Sequence, residues 1–290
     1  MLGVIFIAMV VMLVLTVPIG VMLLVVSLIP NMISPDFTAS VPFVLRNVVG
    51  GLNSTPLLAI PLFILGGLIM AQSGIAEKLF DIFAYLIGDK TGGMPCASII
   101  TCLFYGAISG SAPATTASVG TMTIPILDDL GYDHEFNAST VAVAGGLGVI
   151  IPPSIPFIVY SMASGASVGD MFLAGIIPGF LIALCLMVYA IFYCKTKGEN
   201  KERIHERVSQ LRKKGFWGVL KGSFWALLSP VIILGGIYGG IVTPTEAALV
   251  GIFYASLVGL FVYRTLKFKD LLPLCAETVK TTAPMLLVLG

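Results

Sequence analysis

The sequence has little charge. Asp, Glu, Lys and Arg make up only 11% of its 290 residues, and 57% are hydrophobic, whereas a soluble domain carries roughly 25% charged residues. An uncharged apolar stretch of about 18 residues is long enough to be a candidate membrane span. The composition therefore predicts an all-α polytopic membrane protein, and it excludes a soluble enzyme, a nucleic-acid-binding protein and a disulfide-stabilised secreted domain. Seven stretches hold no charged residue: 2–35, 47–76, 91–127, 136–169, 171–194, 222–245 and 247–263.

Cysteine pairs and histidine sites are also lacking. The five cysteines are odd in number and form no CxxC pair, so we expect free thiols buried in apolar segments. The two histidines, His134 and His205, lie in polar stretches and are predicted to sit in loops without a catalytic or metal-binding role. The first apolar stretch has no basic residue before it and is too long for a signal peptide; it predicts a retained helix, bent near Pro18 and Gly20.

The basic residues predict the orientation. Residues 195–221 hold nine of the sixteen basic residues and three acidic ones. Because Lys and Arg stay on the cytoplasmic side of short loops, we expect loop 195–221 to be cytoplasmic and the chain to turn at residues 169–170 on the outer side. Two further stretches, 74–92 and the weaker 35–55, are amphipathic and are expected to lie in the membrane interface.

Residues 94–127 are too long for one straight span and too short for two full ones. Their centre, residues 109–116, reads Ser-Gly-Ser-Ala-Pro-Ala-Thr-Thr, which is poor helix material, and Pro113 cannot donate to the carbonyl of Ser109. Two apolar arms of about 12 to 15 residues would each reach some 20 Å. The pattern favours a re-entrant hairpin with its tip near the middle of the membrane. The basic residues fit a single bent crossing as well, so they do not choose between the two paths.

The next apolar segment, 136–169, is interrupted in the same way. Glycines and prolines fill residues 145–156, and Pro152 and Pro153 release the carbonyls of Gly148 and Val149. Irregular backbone inside a membrane is tolerated where protein or a polar cavity surrounds it. Two successive broken helices are typical of secondary transporters, although glycines that pack helices and prolines that only kink them would leave the same pattern.

The broken segments hold no Asp, Glu or His at their centres, so a proton relay has no obvious carrier. Neutral hydroxyl and carbonyl oxygens suit a hard monovalent cation, and sodium is the natural candidate. Half-helix N-termini at the breaks would favour an anionic substrate. Glu246 is explained by a capping box with Thr243 at the N-cap and Pro244 at N1.

Four motifs carry a family resemblance. Residues 56–65, 106–116, 148–156 and 235–248 resemble the large membrane subunit, of the DctM type, of the tripartite ATP-independent periplasmic (TRAP) transporters. The resemblance runs along essentially the whole chain.

The resemblance implies an elevator-type fold of two inverted repeats, each with a re-entrant hairpin and a broken helix, in the bacterial inner membrane. It implies sodium-driven uptake of an organic anion that a periplasmic binding protein delivers, with a smaller membrane subunit as partner, and no cofactor besides Na⁺. By the same resemblance, one group of residues would bind sodium and a second would face the substrate. These are Ser109, Ser111, Gly146, Val149 and Pro152 for sodium, and Thr115, Thr116 and Ser154 for the substrate.

The resemblance also implies a domain order. Residues 1–93 would form scaffold helices and an interfacial arm helix, 94–170 the transport unit, 171–221 a membrane helix with the basic cytoplasmic loop, and 222–290 the start of an incomplete second repeat. Since the family continues through a second hairpin and broken helix, we expect a longer form that supplies the second sodium site and half of the substrate cavity.

Three other functions are alternatives for a polytopic membrane protein. A carboxylate carrier that works without a binding protein would share the hairpins and the sodium coupling. An intramembrane protease would need a histidine or aspartate within the membrane, and the sequence has none there. A purely structural membrane subunit is the third.

Overall fold

The computed structural model describes residues 2–33, 41–213 and 215–289. These residues form fourteen α-helices, and no strand occurs among them. The prediction of an all-α polytopic membrane protein is confirmed by five helical segments that are long and apolar enough to cross a bilayer. They are Thr55–Gln72, Val168–Lys197, Phe216–Tyr238, Pro244–Val262 and Phe268–Leu289.

The N-terminal apolar stretch forms two helices, α1 (Leu2–Val14) and α2 (Ile19–Ile33). The expectation of one bent helix is wrong, although the position near Pro18 is right. The proline ring disfavours helical geometry at the preceding residue, so the chain leaves the helix before α2 begins. Helix α2 then packs closely on the last helix, where a Cβ built on Gly20 would lie 2.1 Å from Leu287 Cδ2.

Three helices precede the hairpin: α3 (Val41–Leu52), α4 (Thr55–Gln72) and α5 (Ile75–Ile87). Helix α5 within the stretch 74–92 is amphipathic, because it buries one face against its neighbours, and its position in the membrane interface stays a prediction. In the weaker stretch 35–55, residues 35–40 lie outside the described residues, and α3 has no buried residue. The buried residues of α5 are Ile75, Ala76, Leu79, Phe80, Ile82 and Ala84.

Residues 93–129 form a helical hairpin of α6 (Gly93–Ser109) and α7 (Ala112–Asp129). The chain reverses at its tip, since Met94 and Leu127 from the far ends of the two arms share one buried cluster. The path is that of the predicted hairpin and not of a single bent crossing.

The break at the hairpin tip is shorter than expected. Only Gly110 and Ser111 lie between the helices, and the arms are 17 and 18 residues long. Residues 112–116 are helical because Pro113 falls in the first turn of α7, where its missing N–H would have no partner anyway. Ser111 is the N-cap and accepts from the N–H of Ala114 at 3.5 Å, and Gly110 takes a left-handed φ of 64° that glycine adopts without strain.

The second predicted break is confirmed. Helix α8 (His134–Gly145) continues into a 3₁₀ turn (Gly146–Val149), and α9 (Ile155–Ser164) follows after five residues. Ser154 is the N-cap of α9, accepts from the N–H of Phe157 at 3.4 Å and precedes a proline in the first turn. Both breaks therefore end in the same way, with a serine N-cap followed by proline.

The rest of the chain is helical. The predicted outer turn lies at residues 165–167, not 169–170, because Asp170 falls in the first turn of the next helix, where a carboxylate is favourable. The basic stretch 195–221 is not a loop, since it contains a whole helix. The helices are α10 (Val168–Lys197), α11 (Lys201–Lys213), α12 (Phe216–Tyr238), α13 (Pro244–Leu257, extended by the π-helical turn Val258–Val262) and α14 (Phe268–Leu289).

The capping box at the start of α13 is confirmed. The backbone N–H of Thr243 donates to Glu246 Oε2 at 2.7 Å, and the N–H of Glu246 donates to Thr243 Oγ1 at 3.3 Å. The Glu246 carboxylate therefore has a structural role, since it accepts a hydrogen bond at the N-terminus of α13.

The prediction of free thiols holds, but Cys185 and Cys275 are exposed on α10 and α14 rather than buried. The histidine placement is also corrected, because both lie in helices. His134 begins α8 and its Nδ1 lies 2.8 Å from Asp128 Oδ2, a hydrogen bond that raises the pKa of His134. His205 lies on α11, with Nδ1 3.5 Å from Asp89 Oδ1.

The basic segment packs on the end of the hairpin opposite its tip, where the first arm begins and the second arm ends. Glu199 Oε1 accepts from the backbone N–H of Gly92 at 2.9 Å and from the hydroxyl of Tyr132 at 2.6 Å. One carboxylate oxygen thus links the start of the first arm to the turn after the second arm. The pKa of Tyr132 is raised, mainly because the residue is buried and also because its hydroxyl donates to Glu199. Helix α11 packs three buried residues, Ile204, Val208 and Leu211, against the same end.

The packing of α11 can be tested by truncating Leu211, which is 6% exposed in the cluster with Met94 and Leu127. We expect Leu211→Ala to lower the free energy of unfolding by about 2 to 4 kcal/mol, because it removes buried methyl groups and leaves a cavity. The midpoint of denaturation in mild detergent measures this. Gln210→Ala on the exposed face of α11 is the control; equal midpoints for the two variants would show that the helix is not packed on the hairpin.

Candidate functional site

Three hydroxyl-bearing residues lie together at the hairpin tip. Thr115 Oγ1 donates to the carbonyl of Ser111 at 2.8 Å, and Ser109 Oγ lies 2.8 Å from Thr115 Oγ1. Because Thr115 has one hydroxyl hydrogen and gives it to Ser111, Ser109 is the donor in the second bond. Ser109 and Thr115 are fully buried, while Ser111 is half-buried. The tip is a compact group of neutral oxygens.

The tip packs directly on the break in the second helix, through glycines. A Cβ built on Gly106 would lie 2.7 Å from the Cα of Gly148, and one built on Gly148 would lie 2.4 Å from Thr115 Oγ1 and 2.8 Å from the Ser111 carbonyl oxygen. Side chains at these positions would collide with backbone. The two backbones therefore approach as closely as they do only because both residues are glycine.

A second glycine contact lies next to the first. A Cβ on Gly145 would lie 1.8 Å from Thr116 Oγ1, so the half-buried hydroxyl of Thr116 rests against the end of α8. On the other side of the tip, the backbone N–H of Ile155 donates to the Gly110 carbonyl at 3.4 Å. The break thus contacts the tip before and after its irregular residues.

The carbonyl of Val149 is not free. Pro153 removes its helical partner, but Ser154 Oγ donates to it at 2.6 Å. The serine side chain stands in for the missing N–H, and Ser154 itself is fully buried. Its hydroxyl is therefore engaged within the break.

The remaining two predicted sodium ligands, Gly146 and Pro152, would act through their backbone carbonyls, and neither forms one of these tip contacts. A Cβ on Gly146 would meet nothing within 4 Å, so that residue borders open space. Pro152 lines an apolar cavity of about 140 Å³ together with Leu103, Phe104 and Ala107 of the first arm. The structure thus brings Ser109, Ser111, Thr115, Thr116, Val149 and Ser154 into the region where tip and break meet.

Tyr105 supports the tip and was missed from sequence. Its fully buried ring carries a hydroxyl that lies 2.9 Å from both the carbonyl of Gly67 and Ser118 Oγ. It thereby links α4 to both hairpin arms. The signal was available, because a tyrosine inside an apolar segment needs a hydrogen-bond partner.

The region combines neutral oxygens with two helix N-termini. Helices α7 and α9 both begin here, at Ser111 and Ser154, and helix N-termini favour negative charge nearby. Among the described residues no group of three or more His, Cys, Asp or Glu could hold a metal ion. The arrangement can offer hydroxyl and carbonyl oxygens to a monovalent cation and positive dipole ends to an anion.

Comparisons with known proteins agree on one family. The family model described as "Tripartite ATP-independent periplasmic transporter, DctM component" matches residues 6–290. The chain is 41% identical to the isethionate TRAP transporter permease protein DctMQ of Oleidesulfovibrio alaskensis, over 88% of the chain and 38% of that protein.

Two further relatives are similar in the same way. The sialic acid TRAP transporter large permease protein SiaM of Vibrio cholerae is 37% identical over 87% of the chain and 58% of its own length. The C4-dicarboxylate TRAP transporter large permease protein DctM of Pseudomonas aeruginosa is 39% identical over 81% and 53%. The chain thus spans about half the length of most of these relatives.

The glycine contact predicts a contrast between two neighbouring substitutions. Gly148→Ala forces a methyl group into the Thr115 hydroxyl and the Ser111 carbonyl, so it should lower the free energy of unfolding by about 1 to 3 kcal/mol. Gly146→Ala meets open space with helical backbone and should have little effect or stabilise slightly. Denaturation midpoints of the two variants measure the difference; similar midpoints would contradict the close crossing of tip and break.

Proposed function

Because this chain belongs to the DctM family of tripartite ATP-independent periplasmic transporters, we propose that it forms part of the large membrane subunit of a sodium-coupled importer of organic anions. The contact between the hairpin tip and the broken helix carries this proposal. It places buried hydroxyls of Ser109 and Thr115 beside a break that ends in a helix N-terminus. The chemistry of that contact suits a cation and an anion at adjacent positions.

Sodium would bind at the tip by replacing internal hydrogen bonds. The hydroxyls of Ser109 and Thr115 and the carbonyl of Ser111 already satisfy one another. For both hydroxyls to coordinate an ion, their hydrogens must turn away and their lone pairs face it. Ser111 Oγ and the carbonyls of Gly146, Val149 and Pro152 would complete the shell; Val149 would be released from Ser154. Neutral oxygens suit a monovalent ion, since no carboxylate is there to balance a second charge.

The substrate would bind against the helix N-termini. Thr116 and Ser154 lie near the starts of α7 and α9, and Thr115 connects this face to the sodium oxygens. The two positive dipole ends would favour an organic anion. The relatives that act on isethionate, sialic acid and C4-dicarboxylates, by their names, support the anionic class without choosing one acid.

The transport step would carry the hairpin and the broken helix together. The hairpin and the broken helix pack closely against each other at Gly106, Gly145 and Gly148, so they would move as one body. Helix α4 packs extensively on α13 and would belong to the fixed scaffold of an elevator mechanism, so the hydrogen bond from Tyr105 to the Gly67 carbonyl would break when the hairpin moves. A small membrane subunit and a periplasmic binding protein that delivers the substrate would complete the system in the bacterial inner membrane, with residues 195–221 in the cytoplasm.

The sodium assignment predicts a specific defect for Ser111→Ala. In proteoliposomes with an assembled transporter that contains this sequence, the sodium concentration for half-maximal uptake should rise about tenfold, because one coordinating hydroxyl is lost. Uptake is measured as a function of sodium, with choline keeping the ionic strength constant. Ser98→Ala, which removes a buried hydroxyl of the first hairpin arm that is bonded within its own helix, should leave that concentration unchanged. Unchanged sodium activation in Ser111→Ala would refute the assignment.

The binding-protein requirement separates this function from that of a carrier that works alone. Proteoliposomes with a sodium gradient should take up a radiolabelled acid from a panel of dicarboxylates, sulfonates and sialic acids only when the cognate binding protein is added. The binding protein would then deliver the acid to the site, because free acid that diffuses to the transporter would not be taken up. Equal uptake without the binding protein would favour the independent carrier.

A further inference from the structure

A cleft unrelated to the hairpin tip lies between α8 and α10. It has a volume of about 420 Å³. One face of α8 supplies one wall, including Phe136 and Val143, and one face of α10 supplies the other, including Leu186, Tyr189 and Tyr193. We call it the α8–α10 cleft. None of its residues belongs to the proposed sodium or substrate site.

One end of the cleft is acidic and aromatic. Asp133 and Glu135 stand at the start of α8, and both are exposed. The rings of Phe136 and Tyr193 stack with centroids 4.0 Å apart and an angle of 4°, and the Tyr193 hydroxyl donates to Asp133 Oδ2 at 3.3 Å. Tyr189 lies beside them, 6.4 Å from Tyr193 between centroids. Carboxylates together with aromatic rings form the environment that binds organic ammonium groups.

The acidic end has no cation of its own. The lining residues within the described part of the chain include two carboxylates and no lysine, arginine or histidine. Neither carboxylate forms an ion pair with any described Lys or Arg. His134, which lies between them in sequence, directs its Nδ1 to Asp128 Oδ2 instead. The lining of the cleft therefore offers two carboxylates and no basic side chain to whatever occupies it.

The other end of the cleft is apolar. Leu186 lies seven residues, about 10 Å along a helix, before Tyr193, and Val143 lies two turns along α8 from Phe136. Val143 is exposed at 57%, so this end opens to the outside of the helix bundle. A group that fills the cleft must be cationic at one end and hydrocarbon at the other.

We propose that the α8–α10 cleft binds an aminophospholipid, with its ammonium group between Asp133, Glu135 and the tyrosine rings and its first acyl carbons along Val143 and Leu186. The position agrees with this occupant, because tyrosines gather where a membrane meets water and Tyr193 lies one turn before the basic end of α10. A lipid bound in this cleft would bridge α8, which belongs to the broken helix, and α10.

The test is lipid retention by the whole chain. The protein is reconstituted in vesicles of equal phosphatidylethanolamine and phosphatidylglycerol, extracted in mild detergent and examined by native mass spectrometry. We expect the retained lipid to be enriched about tenfold in phosphatidylethanolamine, because only that head group offers an ammonium to the cleft. The double variant Asp133→Asn, Glu135→Gln should lose the enrichment, while its denaturation midpoint stays close to that of the unchanged protein, since asparagine is a good N-cap.

The matched control removes two exposed carboxylates from α11, with Glu202→Gln and Glu206→Gln. It has the same change in charge and should keep the enrichment. Retention of both lipids in equal amounts, or enrichment that survives in the Asp133, Glu135 double variant, would overturn the proposal. Complete displacement of the lipid by free ethanolamine in the millimolar range would also overturn it, since the cleft would then be a site for small amines.

Discussion

Every backbone N–H and C=O inside a bilayer has to find a partner within the protein, because the hydrocarbon offers none. Both helix breaks of this chain meet that constraint with the same local device. Ser111 and Ser154 each cap the helix that follows, and a proline stands in the first turn where no N–H is needed. One further carbonyl, that of Gly110, is satisfied across the contact between tip and break, where the N–H of Ile155 donates to it. Each break thus helps to stabilise the other.

This mutual dependence explains why the region is rich in neutral oxygens. A short break leaves hydroxyls and carbonyls close together, and the glycines at positions 106 and 148 let two such groups meet without side chains between them. The same close packing that satisfies the backbone also brings together the hydroxyl and carbonyl oxygens that would coordinate a small cation. Binding and stability would then depend on the same atoms, because an ion would replace internal hydrogen bonds by coordination. That exchange would let the ion control the shape of the tip.

The sequence predicted the position of both breaks correctly, because proline and glycine act locally and need no knowledge of the fold. It predicted the extent of the first one poorly: residues 112–116 looked unfit for a helix, but Pro113 falls where a helix begins. The hydrogen bond from Ser154 to the Val149 carbonyl depends on the local conformation of the break. The contact of Gly106 with Gly148 depends on which helices pack together, and residue spacing alone predicts neither. Tyr105 was missed for the same reason, since its partner Gly67 lies 38 residues away. The basic stretch was misjudged as a loop because its charge hid the apolar spacing of Ile204, Val208 and Leu211.

We propose that the tip and the break together form one sodium site. Hydrogen–deuterium exchange of the purified protein, compared in sodium and in potassium at equal ionic strength, tests it directly. Sodium should slow exchange in residues 108–116 and in residues 145–157 together, at the same ion concentration, while α11 is unaffected. Protection by potassium to the same degree, or protection of one segment without the other, would contradict it.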